Sequence, residues 1–222
     1  MNHPFNGILK SLEPVQDFLL QVCVYQDLSD SYHAVVILEE DPADWFQKMA
    51  SLSRFIHKKG LTLPLIINRN FIQNSLDSYP LEFINIASSV KQNLLAKEDL
   101  LANLQFDQAD VRLQMEREFK SKWLLTRQVI LEGRQNSRNL REAIHLSIKS
   151  LIPAFKGFFL LGNQPYPQSL RDLFEQAAII SNTDLSAMHR WLNEKNIEVS
   201  DAERYLDILS KLMQKMESFP VE

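Results

Sequence analysis

The stretch FLLQVCVYQDLSDSYHAVVIL, Phe18–Leu38, decides the fold. Phe18–Tyr25 is rich in β-branched and aromatic residues, and His33–Leu38 is a short continuous apolar run. Runs of four to eight such residues bounded by turn signals predict strands buried on both faces. The segment Asp27–Ser31 between them is turn chemistry apart from Leu28. It is too short for a crossover, so the two strands are predicted to be antiparallel neighbours. Working outward, Leu63–Ile67 is a third strand candidate and Leu81–Ile86 a weaker fourth. Between the second and third strands, Asp41 suits a helix N-cap and Pro42 the first helical position. Trp45, Phe46, Met49, Leu52, Phe55 and Ile56 follow at helical spacing, His57, Lys58 and Lys59 fill the last turn, and Gly60 is placed to end the helix.

Near residue 105 the pattern changes. Val111, Met115, Phe119 and Trp123 recur every fourth residue, predicting a long amphipathic helix. Arg138–Leu161 is predicted as a second, kinked by Pro153. Further helices are expected at Ser169–Ile180, Asp184–Glu194 and Asp201–Glu217, the last with Ser200 and Glu203 as a capping box. The expected fold class is α+β: a small mixed sheet with helices over residues 1–105, then an up-and-down helical bundle over residues 106–222.

Composition narrows the function classes. The 222 residues are 45% hydrophobic and 23% charged, enough to form a core without staples. A single cysteine, Cys23, excludes both an intramolecular disulfide and a cysteine-rich zinc site. Five glycines argue against a glycine-rich phosphate loop, and a net charge of −4 gives no overall attraction to nucleic acid or anionic membrane. No secretory signal is visible at the N-terminus, and no apolar run approaches the roughly 20 residues that span a bilayer. A cytoplasmic location is expected, with no membrane and no nucleic-acid partner.

The order strand, turn, strand, helix, strand and helical bundle resembles the nucleotidyltransferase superfamily. It is most similar to bacterial proteins with an N-terminal nucleotidyltransferase-like domain and a C-terminal bundle of the kind seen in antibiotic-modifying nucleotidyltransferases and HEPN proteins. The stretches PLII at Pro64–Ile67, SLDSYPLEFINI at Ser75–Ile86 and VRLQMEREFKSK at Val111–Lys122 carry the resemblance. In that superfamily the resemblance implies Gly-Ser after the first strand and Asp-x-Asp opening the second, whose carboxylates hold Mg²⁺ against a triphosphate. This chain departs from the pattern. Val24-Tyr25 continues as Gln26-Asp27-Leu28, with no Gly-Ser. Ser31 and His33 stand near where the aspartates belong, or Asp30 and Tyr32 after a shift of one residue. Neither alignment gives a carboxylate pair, so the chain is expected to be a pseudoenzyme with a degenerate active site, needing no cofactor.

Asp27, Asp30, Glu39 and Glu40, with Asp41, would be the metal ligands of a rearranged Mg²⁺ site. Otherwise they are turn residues, a helix cap and solvated charge, which is the preferred reading. His33 is either a half-buried structural histidine or a base. Arg112–Arg141 holds eight basic residues, Arg134 among them, against three acidic ones, an excess of five in an acidic chain. Arg112, Lys120 and Arg127, with His33, are the candidate contacts for a nucleotide or another phosphorylated small molecule. The alternative is the polar side of an amphipathic helix. Arg138 and His145 match the Arg-x4–6-His spacing of HEPN ribonucleases, and equally two helical turns on one face.

The expected function is that of a catalytically inactive nucleotidyltransferase-like protein retaining at most a nucleotide, phosphate-ligand or protein-binding role. The alternatives are an active Mg²⁺-dependent nucleotidyltransferase with a rearranged metal site, a pure interaction or scaffold protein, which predicts an exposed apolar patch or a stable dimer and no ligand response, and, weakest, a ribonuclease-like bundle.

Overall fold

The computed structural model describes residues 3–133 and 137–220. Arg134, one of the eight basic residues above, lies outside them. The chain divides into two compact units, Met1–Leu76 with Ile86–Gln105, and Asp77–Asn85 with Phe106–Glu222. Together they realise the α+β class: a mixed sheet with helices, then an all-helical part.

The first unit is built on a four-stranded sheet of order β3-β2-β1-β4: β1 (Leu19–Gln26), β2 (Tyr32–Leu38), β3 (Leu65–Asn68) and β4 (Val90–Ala96). β1 pairs antiparallel with both β2 and β4, and β2 pairs parallel with β3. Both faces of the central pair are buried. Val22, Val24, Val36 and Leu38 join Phe5, Leu12 and Ile8, the last in helix α1 (Ile8–Ser11), in one core. Cys23, Val35 and Ile37, pointing the other way by the period of two, are equally inaccessible.

The expected helix between β2 and β3 is two pieces, α2 (Trp45–Lys48) and α3 (Ala50–Lys59). Asp41 does not cap it. Asp44 adopts a left-handed φ of 56° ahead of α2, and Asp41 accepts a hydrogen bond from the Asn68 amide instead. The end is as expected: Gly60, at φ 62°, closes α3 with its N–H on the His57 carbonyl. A short helix, α4 (Arg69–Gln73), follows β3, with Asn68 as its N-cap.

Leu81–Ile86 is not a strand. It lies within helix α5 (Pro80–Ala87), with proline at its first position. The orphan N–H of Leu81 is met by the Gln114 side chain at 2.8 Å, and Gln114 in turn donates to Glu82. The fourth strand is β4, with mostly exposed side chains on a sheet edge.

The helical unit continues with α6 (Gln108–Gly133), α7 (Ser137–Ser150), α8 (Ile152–Leu161), α9 (Leu170–Ser181), α10 (Ser186–Trp191) and α11 (Val199–Ser218). The expected kink is a break at Leu151, immediately before Pro153 in the first turn of α8. Ser169 caps α9 as its position allows. The capping box of α11 uses Glu198 and Asp201, two residues earlier than Ser200 and Glu203, so the helix begins at Val199. By length and mean hydropathy, 1.3, Arg138–Leu161 matches a membrane-crossing helix, against the expectation from its sequence. In the fold it is broken at Leu151, and 61% of its apolar window is buried. Phe119, Phe155, Phe158 and Phe174 form the centre of this unit, with ring centroids 5.2–6.5 Å apart. Trp191 and Tyr205 meet edge to face, each with its polar end satisfied, by Asp201 and Ser147 respectively.

Gly157 on α8 faces Met115 of α6 with no room for a side chain. A Cβ there would stand 2.5 Å from Met115 Sδ and 3.1 Å from Leu81 Cδ2. Gly157→Val is therefore expected to lower stability by about 1–3 kcal/mol through overpacking. Thermal unfolding checks this, and a midpoint at or above wild type contradicts the packing argument.

Candidate functional site

The end of the β1–β2 hairpin is where the resemblance places a metal centre. The turn Asp27–Ser31 is closed by backbone bonds between Asp27 N–H and the Ser31 carbonyl and between Asp30 N–H and the Asp27 carbonyl. Asp30 takes a left-handed φ of 62° and is touched by the Gln26 amide at 3.3 Å. The Asp27 carboxylate is enclosed by donors. Its Oδ1 accepts from Ser29 N–H at 2.9 Å, Ser29 Oγ at 2.8 Å and Ser31 N–H at 2.9 Å. Its Oδ2 lies 3.0 Å from His33 Nε2. His33 stacks on Tyr25, its cross-strand partner, at 5.1 Å.

These contacts set the electrostatics. Burial alone would raise the Asp27 carboxyl, but the donors from Ser31, Ser29 and His33 outweigh it and hold the group below the usual carboxylate range. Burial, with Asp27 and Cys23 nearby, pushes the Tyr25 phenol up. Burial, reinforced by Asp99, pushes the Cys23 thiol up to about 12, so this cysteine is no nucleophile at neutral pH.

The four carboxylates considered for a rearranged Mg²⁺ site do not converge. Asp27 and Asp30 precede β2, while Glu39 and Glu40 follow it. A seven-residue strand separates the pairs by about 20 Å. Glu39 is held by Arg69, whose Nε and Nη2 reach its two oxygens at 2.9 and 3.0 Å. The same guanidinium grips Glu98 at 3.1 and 2.6 Å. The hydrogen bonds that Arg69 donates to Glu98 and Glu39 raise its own pKa and lower that of Glu98. Glu40 is exposed. Among the described residues no group of three or more His, Cys, Asp or Glu is placed to hold a metal ion. The residues present do not fit Mg²⁺: of the two aspartates at the hairpin end, Asp27 has both oxygens engaged and Asp30 sits on left-handed backbone against the Gln26 amide, and the side chain facing Asp27 from β2 is a histidine.

The candidate phosphate contacts belong to different units: His33 lies in the first, and Arg112, Lys120 and Arg127 lie along α6. Arg112 donates to the Met216 carbonyl at 2.9 Å and faces Glu116 at 3.5 Å. Lys120 pairs with the other oxygen of Glu116. Arg127 stacks over Trp123 at 4.5 Å. Arg112 and Lys120 thus share the single carboxylate of Glu116, while Arg127 is held by an aromatic ring. Arg138, on α7, pairs with Glu142 at 3.0 Å, while His145 Nε2 is buried without a hydrogen-bond partner.

Two features had no counterpart in the sequence reading. One is the Arg69 clamp, which joins residues about 30 positions apart. The other is Gln21, fully buried in β1, whose amide donates to Asn93 and Asp99 and whose carbonyl accepts from Leu100 N–H. Its only sequence signal was a polar residue inside an apolar run.

No family model matches the chain, and no curated protein matches it. Among solved structures the chain is similar to a nucleotidyltransferase-like protein from Exiguobacterium sibiricum, with 13% identity over 95% of this chain and 73% of that one and a TM-score of 0.43. It is similar also to a spectinomycin adenyltransferase from Enterococcus faecialis, in a structure with ATP and spectinomycin, with 13% identity over 97% and 98% of the two chains and a TM-score of 0.43.

Asp27→Asn is the informative variant at the hairpin end. A carboxylate held below its unfolded pKa adds stability above about pH 4 and loses it as pH falls through the folded value. The stability advantage of wild type over Asp27→Asn is expected to be present at pH 7 and to shrink below about pH 4. Unfolding midpoints measured across that range check it. A constant difference contradicts the assignment.

Proposed function

We propose that this chain is a nucleotidyltransferase-like protein that has lost metal-dependent nucleotidyl transfer and works by binding. One observation carries the reading. The Asp27 carboxylate, in the turn ahead of the positions where the resemblance implies metal ligands, spends its oxygens on Ser29, Ser31 and His33, and Asp30, which one alignment sets at such a position, has Tyr32 and no second carboxylate two residues on. A Mg²⁺ ion needs oxygen ligands with lone pairs directed at it, and transfer chemistry depends on that ion to neutralise the triphosphate. The five-residue turn also supplies none of the glycine-dependent backbone approach that the resemblance implies for nucleotide phosphates.

The binding role favoured is toward a protein. Arg112 and Lys120 are occupied by Glu116 and the Met216 carbonyl, which weakens them as phosphate contacts. The helical unit exposes several large apolar side chains, Leu124, Leu125, Leu131 and Leu146 among them.

The test is a thermal-shift titration with ATP, GTP, CTP and UTP, each with and without Mg²⁺. A ligand at about 100 times its Kd adds roughly 2.7 kcal/mol, a shift of several degrees for a chain of this size. No Mg²⁺-dependent shift is expected. Such a shift with any one nucleotide, followed by release of pyrophosphate in its presence, overturns the reading.

A further inference from the structure

We infer that Arg141 and His145 on α7 form a binding site for a phosphate group. The two half-buried side chains stand one turn apart on one face of the helix. Arg141 Nη1 donates to the Lys195 carbonyl at 3.1 Å, in the segment between α10 and α11. Arg141 Nε is shielded from solvent and has no hydrogen-bond partner, and the same holds for His145 Nε2. Among the described residues Arg141 makes no ion pair and no other hydrogen bond. Buried polar groups are nearly always hydrogen-bonded, so two orphaned nitrogens on adjacent turns point to a bound group.

The sequence withholds the usual partner. Arg112, Arg138, Arg171 and Arg190 each pair with the glutamate four residues on. Four residues after Arg141 stands His145. The acids nearest in the chain are already engaged. Glu142 is taken by Arg138 and Glu194 by Arg190. Glu198 and Asp201 accept each other's backbone N–H in the capping box of α11, and Asp201 also accepts from the Trp191 indole. Geometry then selects the ligand. With Nη1 on the Lys195 carbonyl, the guanidinium keeps its Nε–Nη2 edge, a fork of two parallel N–H donors that matches two oxygens of a carboxylate or a phosphate. A carboxylate spends both oxygens on the fork and leaves His145 Nε2 unmet. A tetrahedral phosphate has a third oxygen outside the fork plane, and the imidazole donates to it in the tautomer with its hydrogen on Nε2. A water molecule would meet the N–H groups and leave the Arg141 charge without a counter-ion.

This site goes beyond the binding role proposed above and stands apart from it. Arg141 and His145 belong to the helical unit and the hairpin end to the other. A Mg²⁺-dependent nucleotide response tests the hairpin, and phosphate binding without metal tests this site. The experiment is isothermal titration of the full chain with inorganic phosphate, phenyl phosphate and acetate, in chloride buffer of constant ionic strength without divalent metal. Both phosphates are expected to bind and to move the His145 ring signals in NMR spectra of histidine-labelled protein, while acetate does neither. Phenyl phosphate binding at least as tightly as inorganic phosphate identifies the ligand as a phosphate monoester, and the reverse order identifies the free ion. Arg141→Lys, which keeps the charge and loses the fork, and His145→Leu should each weaken binding by about tenfold or more. His145→Gln, which keeps a donor, should retain more binding than His145→Leu. Arg138→Gln, at an exposed position already paired with Glu142, should leave binding unchanged. Circular dichroism and the unfolding midpoint confirm that each variant is folded. No binding of either phosphate tighter than about 10 mM overturns the inference, since the orphaned nitrogens then hold only water. Equal binding of acetate, unmoved His145 signals, or full binding by Arg141→Lys and His145→Leu also overturns it.

Discussion

Four donors converge on the Asp27 carboxylate, and the hairpin at the heart of the sheet depends on that convergence. A five-residue turn between two buried strands is ordered when its own side chains meet its backbone N–H groups, as aspartate does in an Asx-type turn. Asp27 supplies the missing acceptor for Ser29 and Ser31, and its second oxygen ties the turn to His33 on β2. The register Gln26↔Tyr32 and Tyr25↔His33 follows. A one-residue slip would turn Val22, Val24, Val36 and Leu38 away from the core they share with Phe5 and Leu12. The outer strands β3 and β4 then add to a pair whose geometry is already set.

The same constraint bears on chemistry. A carboxylate that closes a turn has its lone pairs aimed at N–H and O–H groups of its own loop. Recruiting it to a cation would mean giving up those bonds, and three of its four contacts come from residues within four positions of it. Structural and catalytic uses of one aspartate compete here, and the geometry assigns it to structure. The Arg69 clamp makes the corresponding point at the other end of β2. One guanidinium occupies both oxygens of Glu39 and both of Glu98, so these carboxylates are spent on Arg69 and not directed at a cation site.

Legibility in the sequence followed the range of the interactions. The central hairpin, the glycine end of α3, the cap at Ser169 and the break before Pro153 are local, and the residues announce them. Leu81–Ile86 reads as a strand and is a helix, and the strand Val90–Ala96 gives no strand signal, for complementary reasons. The first is a short apolar run, which a buried helix and a buried strand share, and Pro80 ahead of it was the deciding signal. The second is an edge strand facing solvent, so its polar residues conceal a ladder that only pairing with β1 reveals. The Gln21 network and the Arg69 clamp join positions far apart in the chain and leave no local trace. The neutralisation of Arg112 and Lys120 was in plain view, with Glu116 four residues from each.

Helix α6 changes its surface character along its length. Its buried stripe, Val111, Met115, Phe119 and Thr126, satisfies one face. Over its first half the opposite side is polar and laced by the ion pairs of Glu116 and Glu118. Over its second half that side changes character. Leu124, Leu125 and Leu131 stand exposed, and the cation among them, Arg127, has an aromatic ring for company in place of a carboxylate. A helix apolar on two faces requires two partners, and the fold provides one. Solubility alone would favour the charged pattern of the first half along the whole length. Leucines in the second half leave apolar area in water that the first half, with its ion pairs, does not.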